Sequence, residues 1–300
     1  MKTAPRRKSP AGSGAREDLL DGRIRHAFTC ICAGPSGSGK STFVRNLLRR
    51  QGDLIDVVFD YIIIVMGTSL TENPLMTGLM TDLGGQDVKV IALRDKYPSL
   101  QLMSEQFPDY LRGLLRARSD RGQVGCLVFD DLMVELSHCG ILTDLFTKYS
   151  SHFDISIIHT TQNLFHQGGG KHRTDHTTVY RNTHVIVLFR SPLDNTILST
   201  VAKRINPSRH ADLVAMWEHM MDRHRYVVIF GQLDRPESLR YATDIFATEP
   251  LPHQRIFHLK GGREPAARRA RDGRKPAGAR RGRDKSGASA KGGGTGEGGL

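Results

Sequence analysis

Residues 33–42 read AGPSGSGKST, with three glycines, one proline and one lysine in ten positions. Gly34, Pro35, Ser36, Gly37, Ser38, Gly39, Lys40 and Ser41 satisfy G-x-x-x-x-G-K-[ST] at every fixed position, and Thr42 follows. Glycines let a backbone curl until successive N–H groups point inward and ring an anion. A helix opening near Lys40 adds its positive end to that ring. The chemistry is therefore polyphosphate binding: Lys40 faces the β- and γ-phosphates, and Ser41 ligates Mg²⁺. A nucleoside triphosphate is the ligand, and the absence of an NKxD-type guanine reader favours ATP over GTP.

Hydrolysis needs acids, and the run CLVFDD supplies them. Four apolar residues, Cys126 to Phe129, lead to Asp130 and Asp131. At the carboxyl end of a buried strand, Asp130 would hold the metal and Asp131 would polarise the attacking water. The run IIHTTQN repeats that pattern, placing Thr161, Gln162 and Asn163 at another strand end. An amide such as Gln162 can hydrogen-bond the γ-phosphate or the lytic water. An arginine supplied to the transition state, sometimes by a neighbouring subunit, contributes about 10³–10⁵-fold in rate. Arg173, Arg181 and Arg190 are candidates, and Arg181 is preferred as the residue just ahead of a strand.

These groups need a scaffold. Apolar, β-branched runs at AFTCICA, IDVVFDYIIIVMG, DVKVIAL, GQVGCLVFDDLM, DISIIHTTQN, THVIVLFR and YVVIFGQL alternate with stretches of helical spacing. Continuous apolar strands alternating with helices imply an α/β fold, a parallel-dominated sheet covered on both faces. The segment LMSEQFPDYLRGLLRARS reads as one or two helices interrupted near Pro108.

The net charge of +12 is unevenly spread. Residues 261–300 hold 11 basic and 4 acidic side chains, residues 1–25 hold 7 and 3, and the remainder is close to neutral. Three regions follow: a disordered basic leader (1–25), the ATPase domain (26–255) and a disordered Arg/Gly-rich tail (256–300). Cationic ends attract polyanions, most often nucleic acid. PRRK (Pro5 to Lys8) reads as basic leader or nuclear address. The four cysteines lack scaffold or zinc spacing and read as buried hydrophobes in a reducing compartment. No apolar run approaches the roughly 18 residues of a membrane helix, and the start lacks the apolar core of a secretory signal. The expectation is an intracellular protein that is neither secreted nor inserted in a membrane.

Two segments look functional and are read otherwise. LGGQ (Leu83 to Gln86) is similar to the ABC-transporter signature, but a strand follows it, so it is a turn. HQGGGKHRTDH carries His166, His172 and His176 without a partner set at familiar metal spacing, and reads as a polar loop.

The order GPSGSGKST, CLVFDDLM, LFTKYSSHFDISIIHTTQNLFHQG, NTHVIVLFRSPLDNTIL resembles the DNA-packaging ATPases of the FtsK–HerA class, found in poxviruses, other large DNA viruses and Polinton-type elements. The likeness runs from about His26 to Phe246, and DISIIHTTQNLF is its most specific block. It implies a P-loop NTPase fold of the RecA/ASCE-like type and a motor that drives double-stranded DNA into a capsid as a homo-oligomeric ring, a hexamer being one form. A capsid or portal component would be a partner, and the host nucleus or virion the location. Lys40, Ser41, Asp130, Asp131 and Gln162 match its motif positions. Many members of the wider class carry Glu where Asp131 stands, and GGGKHRTDHTTVYR is longer than the corresponding loop, so no arginine register carries over. The competing reading is a phosphotransferase, a nucleoside or small-molecule kinase, with Gln167 to Arg181 as its lid. A non-hydrolytic DNA-binding protein is a third.

Overall fold

All seven apolar runs contain strands, and six of those strands are buried along nearly their whole length, as suits a covered sheet. The computed structural model describes residues 23–67, 78–79, 81–165, 174–191, 193–194, 196–224, 226–232, 235, 239–246 and 255–256. The chain divides into Met1–Lys260 and Gly261–Leu300, and every described residue belongs to the first unit.

The strands are β1 (Thr29–Ala33), β2 (Tyr61–Met66), β3 (Asp87–Ala92), β4 (Gly125–Asp130), β5 (Ile155–Thr161), β6 (Val185–Phe189), β7 (Tyr226–Phe230), β8 (Tyr241–Thr243) and β9 (Arg255–Ile256). They form one sheet in the order β3-β2-β4-β5-β1-β6-β7-β8-β9. The first six are parallel, and β7 to β9 add antiparallel at one side. The fold is thus α/β with a parallel-dominated sheet, and its phosphate-loop motif joins β1 to a helix.

One face is covered by helix α1 (Lys40–Arg49), which buries Phe43, Val44, Leu47 and Leu48 against Cys30, Ile62, Ile64 and Val128. The other carries α2 (Leu100–Ser119), α3 (Met133–Ser137), α4 (His176–Arg181), α5 (Thr196–Ile205) and α6 (His210–His224). Between α3 and β5, the segments Ile141–Asp144, Leu145–Tyr149 and Ser150–His152 continue one helical path, the middle one π-wound.

Three features depart from the sequence reading. α2 runs unbroken for 20 residues with Pro108 inside. Proline in a helix interior costs about 3 kcal/mol. The stripe Met103, Phe107, Leu111 and Leu115 is buried, and each such side chain gains roughly 1.5–3 kcal/mol, so burial wins. Ile24, placed in the leader, joins the core and bridges to Ile55, so packed chain begins ahead of His26. At the other end β9 reaches Ile256, one residue beyond the expected boundary.

All four cysteines are buried and unpaired. Burial pushes the Cys139 thiol up to about 11 and Cys126 higher still, so these are inert apolar side chains. LGGQ is a turn, with Gly85 at φ 103° immediately ahead of β3.

His159 on β5 is buried beside Phe129, and neither ring nitrogen has a hydrogen-bond partner among the described residues. Burial, and secondarily His176, lowers its pKa from 6.5 to about 3. Between those values the unfolded chain holds a proton that the folded chain excludes, so stability falls as pH falls through this window. Going from pH 7 to pH 5 should remove about 2 kcal/mol through His159 alone. Urea unfolding of wild type and His159→Leu at both pH values checks this; equal pH dependence would assign the acid sensitivity to other groups.

Candidate active site

The phosphate loop occupies the carboxyl edge of β1, where ligands of open parallel sheets bind. Gly37 and Gly39 take φ values of 74° and 103°, in the left-handed region that suits glycine. Gly34 answers to a different constraint. A Cβ there would lie 2.6 Å from the Cβ of Phe189, so only glycine lets the loop pack against the end of β6. Gly39 caps α1 and no side chain satisfies the helix start, which leaves its first-turn N–H groups to an anion.

Lys40 is 7% exposed, and its Nζ donates to the carbonyls of Gly34 and Pro35, both at 2.9 Å. Burial draws its ammonium below the usual lysine range, while Asp131 and Asp130 oppose that shift. The lysine is therefore held by the loop it serves, within the field of both acids.

Asp130 ends β4 at 4% exposure. Ser41 Oγ donates to its Oδ1 at 2.9 Å and lies 3.3 Å from Oδ2. A hydroxyl and a carboxylate held together beside a phosphate nest form an oxygen-only donor set suited to Mg²⁺. Asp131 follows on the exposed side with φ 52°. Gln162 Nε2 donates to Asp131 Oδ1 at 3.2 Å. Lys40, Ser41, Asp130, Asp131 and Gln162 are thus brought to one edge.

That convergence depends on strand order. β5 lies between β1 and β4, with Ala33 opposite Thr161 and Phe129 opposite His159. The end of β5 is consequently inserted between the phosphate loop and the acids. Thr161 turns back on its own loop, its Oγ1 donating to the carbonyl of Asn163 at 3.1 Å. Thr160, which the sequence reading passed over, reaches the acids instead: its Oγ1 donates to Asp130 Oδ1 at 3.0 Å. No local signal marked it, since the contact follows from the place of β5 beside β4.

Arg181 does not join the cluster. It closes α4, and the next residue, Asn182, accepts from Thr29 Oγ1 at 2.6 Å at the amino end of β1. Four residue steps of strand, about 13 Å, separate that edge from the loop. A residue preceding a parallel strand lies opposite the catalytic edge, so Arg181 cannot serve its own chain's phosphate site. Arg190 follows β6 directly at the carboxyl edge, one residue beyond the Phe189 that packs on Gly34. Arg173, His166 and His172 lie outside the described residues, and no three-residue His/Cys/Asp/Glu metal cluster occurs among those described. A cleft of about 570 Å³ opens beside Asp131 and Gln162, lined also by Arg94, Tyr97, Val134 and Glu135. Glu135 is buried and pairs with Arg94 at 3.3 Å.

No protein-family model matches the chain, and no curated protein matches it. Solved structures do. The genome packaging NTPase B204 of Sulfolobus turreted icosahedral virus 2, in complex with ATP-gammaS, is 13% identical with a TM-score of 0.41, covering 68% of this chain and 91% of its own. EssC ATPases 2 and 3 of Geobacillus thermodenitrificans give 16% identity and 0.37, over 57% of this chain and 32% of EssC. A KaiC-like protein of Pyrococcus horikoshii gives 14% and 0.36, over 55% and 73%. No helix among the described residues is long and apolar enough to cross a membrane.

Proposed function

We propose that this chain hydrolyses ATP and uses the energy to translocate double-stranded DNA, packaging a genome as a member of a ring. The observation that carries the hydrolytic part is the joining of Ser41, Asp130 and Thr160 around one carboxylate oxygen beside an uncapped glycine nest. Lys40 would neutralise the β- and γ-phosphates, Ser41 and Asp130 would hold magnesium, Asp131 would take the proton of the attacking water, and Gln162 would orient it. Bound magnesium would supply charge neutralisation at the phosphate oxygens. Arg190 is the arginine better placed to meet that charge within its own chain; Arg181, on the far edge, is left a role only toward a neighbouring subunit.

The translocase part is supported by the motif order and by the cationic ends. The phosphotransferase alternative needs a lid closing over the phosphates, and the end of its lid, Arg181, lies on the opposite edge. Phosphate release by the purified protein, with and without duplex DNA, tests the reading, with sedimentation in the presence of a non-hydrolysed ATP analogue reporting assembly. Stimulation by duplex with ring formation is expected. A phosphorylated small-molecule acceptor without DNA stimulation would decide for the kinase.

The tail is separable from the site. If half of the 11 cationic charges in residues 261–300 neutralise phosphates, they add about −5 to the slope of log K against log[salt]. Deleting residues 261–300 should flatten that slope while leaving DNA-free ATP turnover unchanged. Filter binding across a salt series measures it, and an unaltered slope would remove the tail from DNA binding.

A further inference from the structure

Thr160 is fully buried, at 0% exposure, one residue short of the end of β5. Its single hydroxyl proton goes to Asp130 Oδ1 at 3.0 Å, and its oxygen accepts the backbone N–H of Asp131 at 2.9 Å. The chain of bonds has one direction: Asp131 N–H to Thr160 Oγ1, then Thr160 O–H to Asp130. The same Asp130 oxygen receives Ser41 from α1, so it is the meeting point of α1, β4 and β5. Asp131, whose amide is held, sits in a left-handed conformation that costs a non-glycine residue roughly 1 kcal/mol and needs support from its surroundings. Gln162, one residue beyond the end of β5, donates to the Asp131 carboxylate.

We infer that Thr160 is a positioning residue that couples the two acids, so that the state of Asp130 and Ser41 sets the backbone, and hence the aim, of Asp131. This deepens the hydrolytic reading above and rests on it. A hydroxyl is the right group because it gives and accepts at once; a methyl in its place would leave the part-buried Asp131 amide without this acceptor and take one donor from Asp130 Oδ1. The role is distinct from binding, since Thr160 is fully buried and its hydroxyl is spent on the two acids.

Thr160→Val keeps the shape and removes the hydroxyl, while Thr160→Ser keeps the hydroxyl and removes a methyl. Steady-state ATP hydrolysis by the full chain should show kcat down 10- to 100-fold in Thr160→Val with KM within about threefold, and kcat restored to within about threefold by Thr160→Ser. Equal losses in both variants, or a wild-type kcat in Thr160→Val, would overturn the role. Hydrogen exchange at the Asp131 amide supplies a readout that needs no turnover: protection should drop at least tenfold in Thr160→Val and persist in Thr160→Ser. A wild type that hydrolyses no ATP but shows this exchange pattern would refute the hydrolytic reading and leave the coupling standing. An exchange rate indifferent to both substitutions refutes the coupling itself.

Discussion

Replacing Lys40 with alanine should lower ATP turnover by about 10³-fold or more. The ammonium is nearly buried, fixed by two loop carbonyls and placed in the field of Asp130 and Asp131. Without it, a triphosphate entering the nest would meet two uncompensated carboxylates, and like charges in a poorly solvated site repel strongly. Nucleotide affinity should fall with turnover, because the same charge serves ground state and transition state. Lys40→Arg should not rescue: a planar guanidinium does not occupy the space where a compact ammonium meets the Gly34 and Pro35 carbonyls. Phosphate release and titration with a fluorescent ATP analogue measure the two losses, and thermal unfolding shows whether the loop still folds. Turnover within tenfold of wild type in Lys40→Ala would mean that the phosphate charge is met elsewhere.

How much of this site could be read beforehand depends on how locally each part is encoded. The loop was legible because its functional groups are contiguous: eight residues carry the turn chemistry, the cation and the hydroxyl. Asp130 and Asp131 were legible because an apolar run ending in acids marks a buried strand and its edge. Thr160 was not, because its contact with Asp130 arises from the insertion of β5 between β1 and β4, and no local pattern encodes strand order. The edge on which Arg181 sits was hidden for a related reason. Nearness to β6 in sequence said nothing of which end was meant, and parallel strand direction sends Arg181 to one edge and Arg190 to the other. The continuity of the helix through Pro108 is hidden in the sequence because local propensity does not register the buried stripe that overrides it. The short strands β8 and β9 carry too few residues for alternation to register.

The second large effect separates binding from chemistry. Asp131→Asn should reduce kcat by about 10²–10⁴-fold, the range for losing a positioned general base, while affinity for Mg²⁺–ATP stays within about threefold. The substitution is structurally mild for reasons visible at the residue. Asparagine tolerates the left-handed backbone that Asp131 adopts at φ 52°, and it keeps an Oδ1 to accept from Gln162. Its backbone N–H still reaches Thr160. What disappears is the negative charge and the basic lone pair. Lys40 is a built-in reporter of that loss: Asp131 is the stronger of the two acids holding its ammonium up, so the variant's lysine should deprotonate at lower pH than the wild type's. Asp130→Asn should behave differently, losing Mg²⁺-dependent affinity together with turnover, because Asp130 is the carboxylate joined to Ser41. If Asp131→Asn retained full activity, the proton acceptor would have to be sought along the same cleft, where the buried Glu135 is the next carboxylate. A Glu135→Gln variant distinguishes the two: it should leave kcat near wild type if Asp131 is the base, and abolish it if Glu135 is.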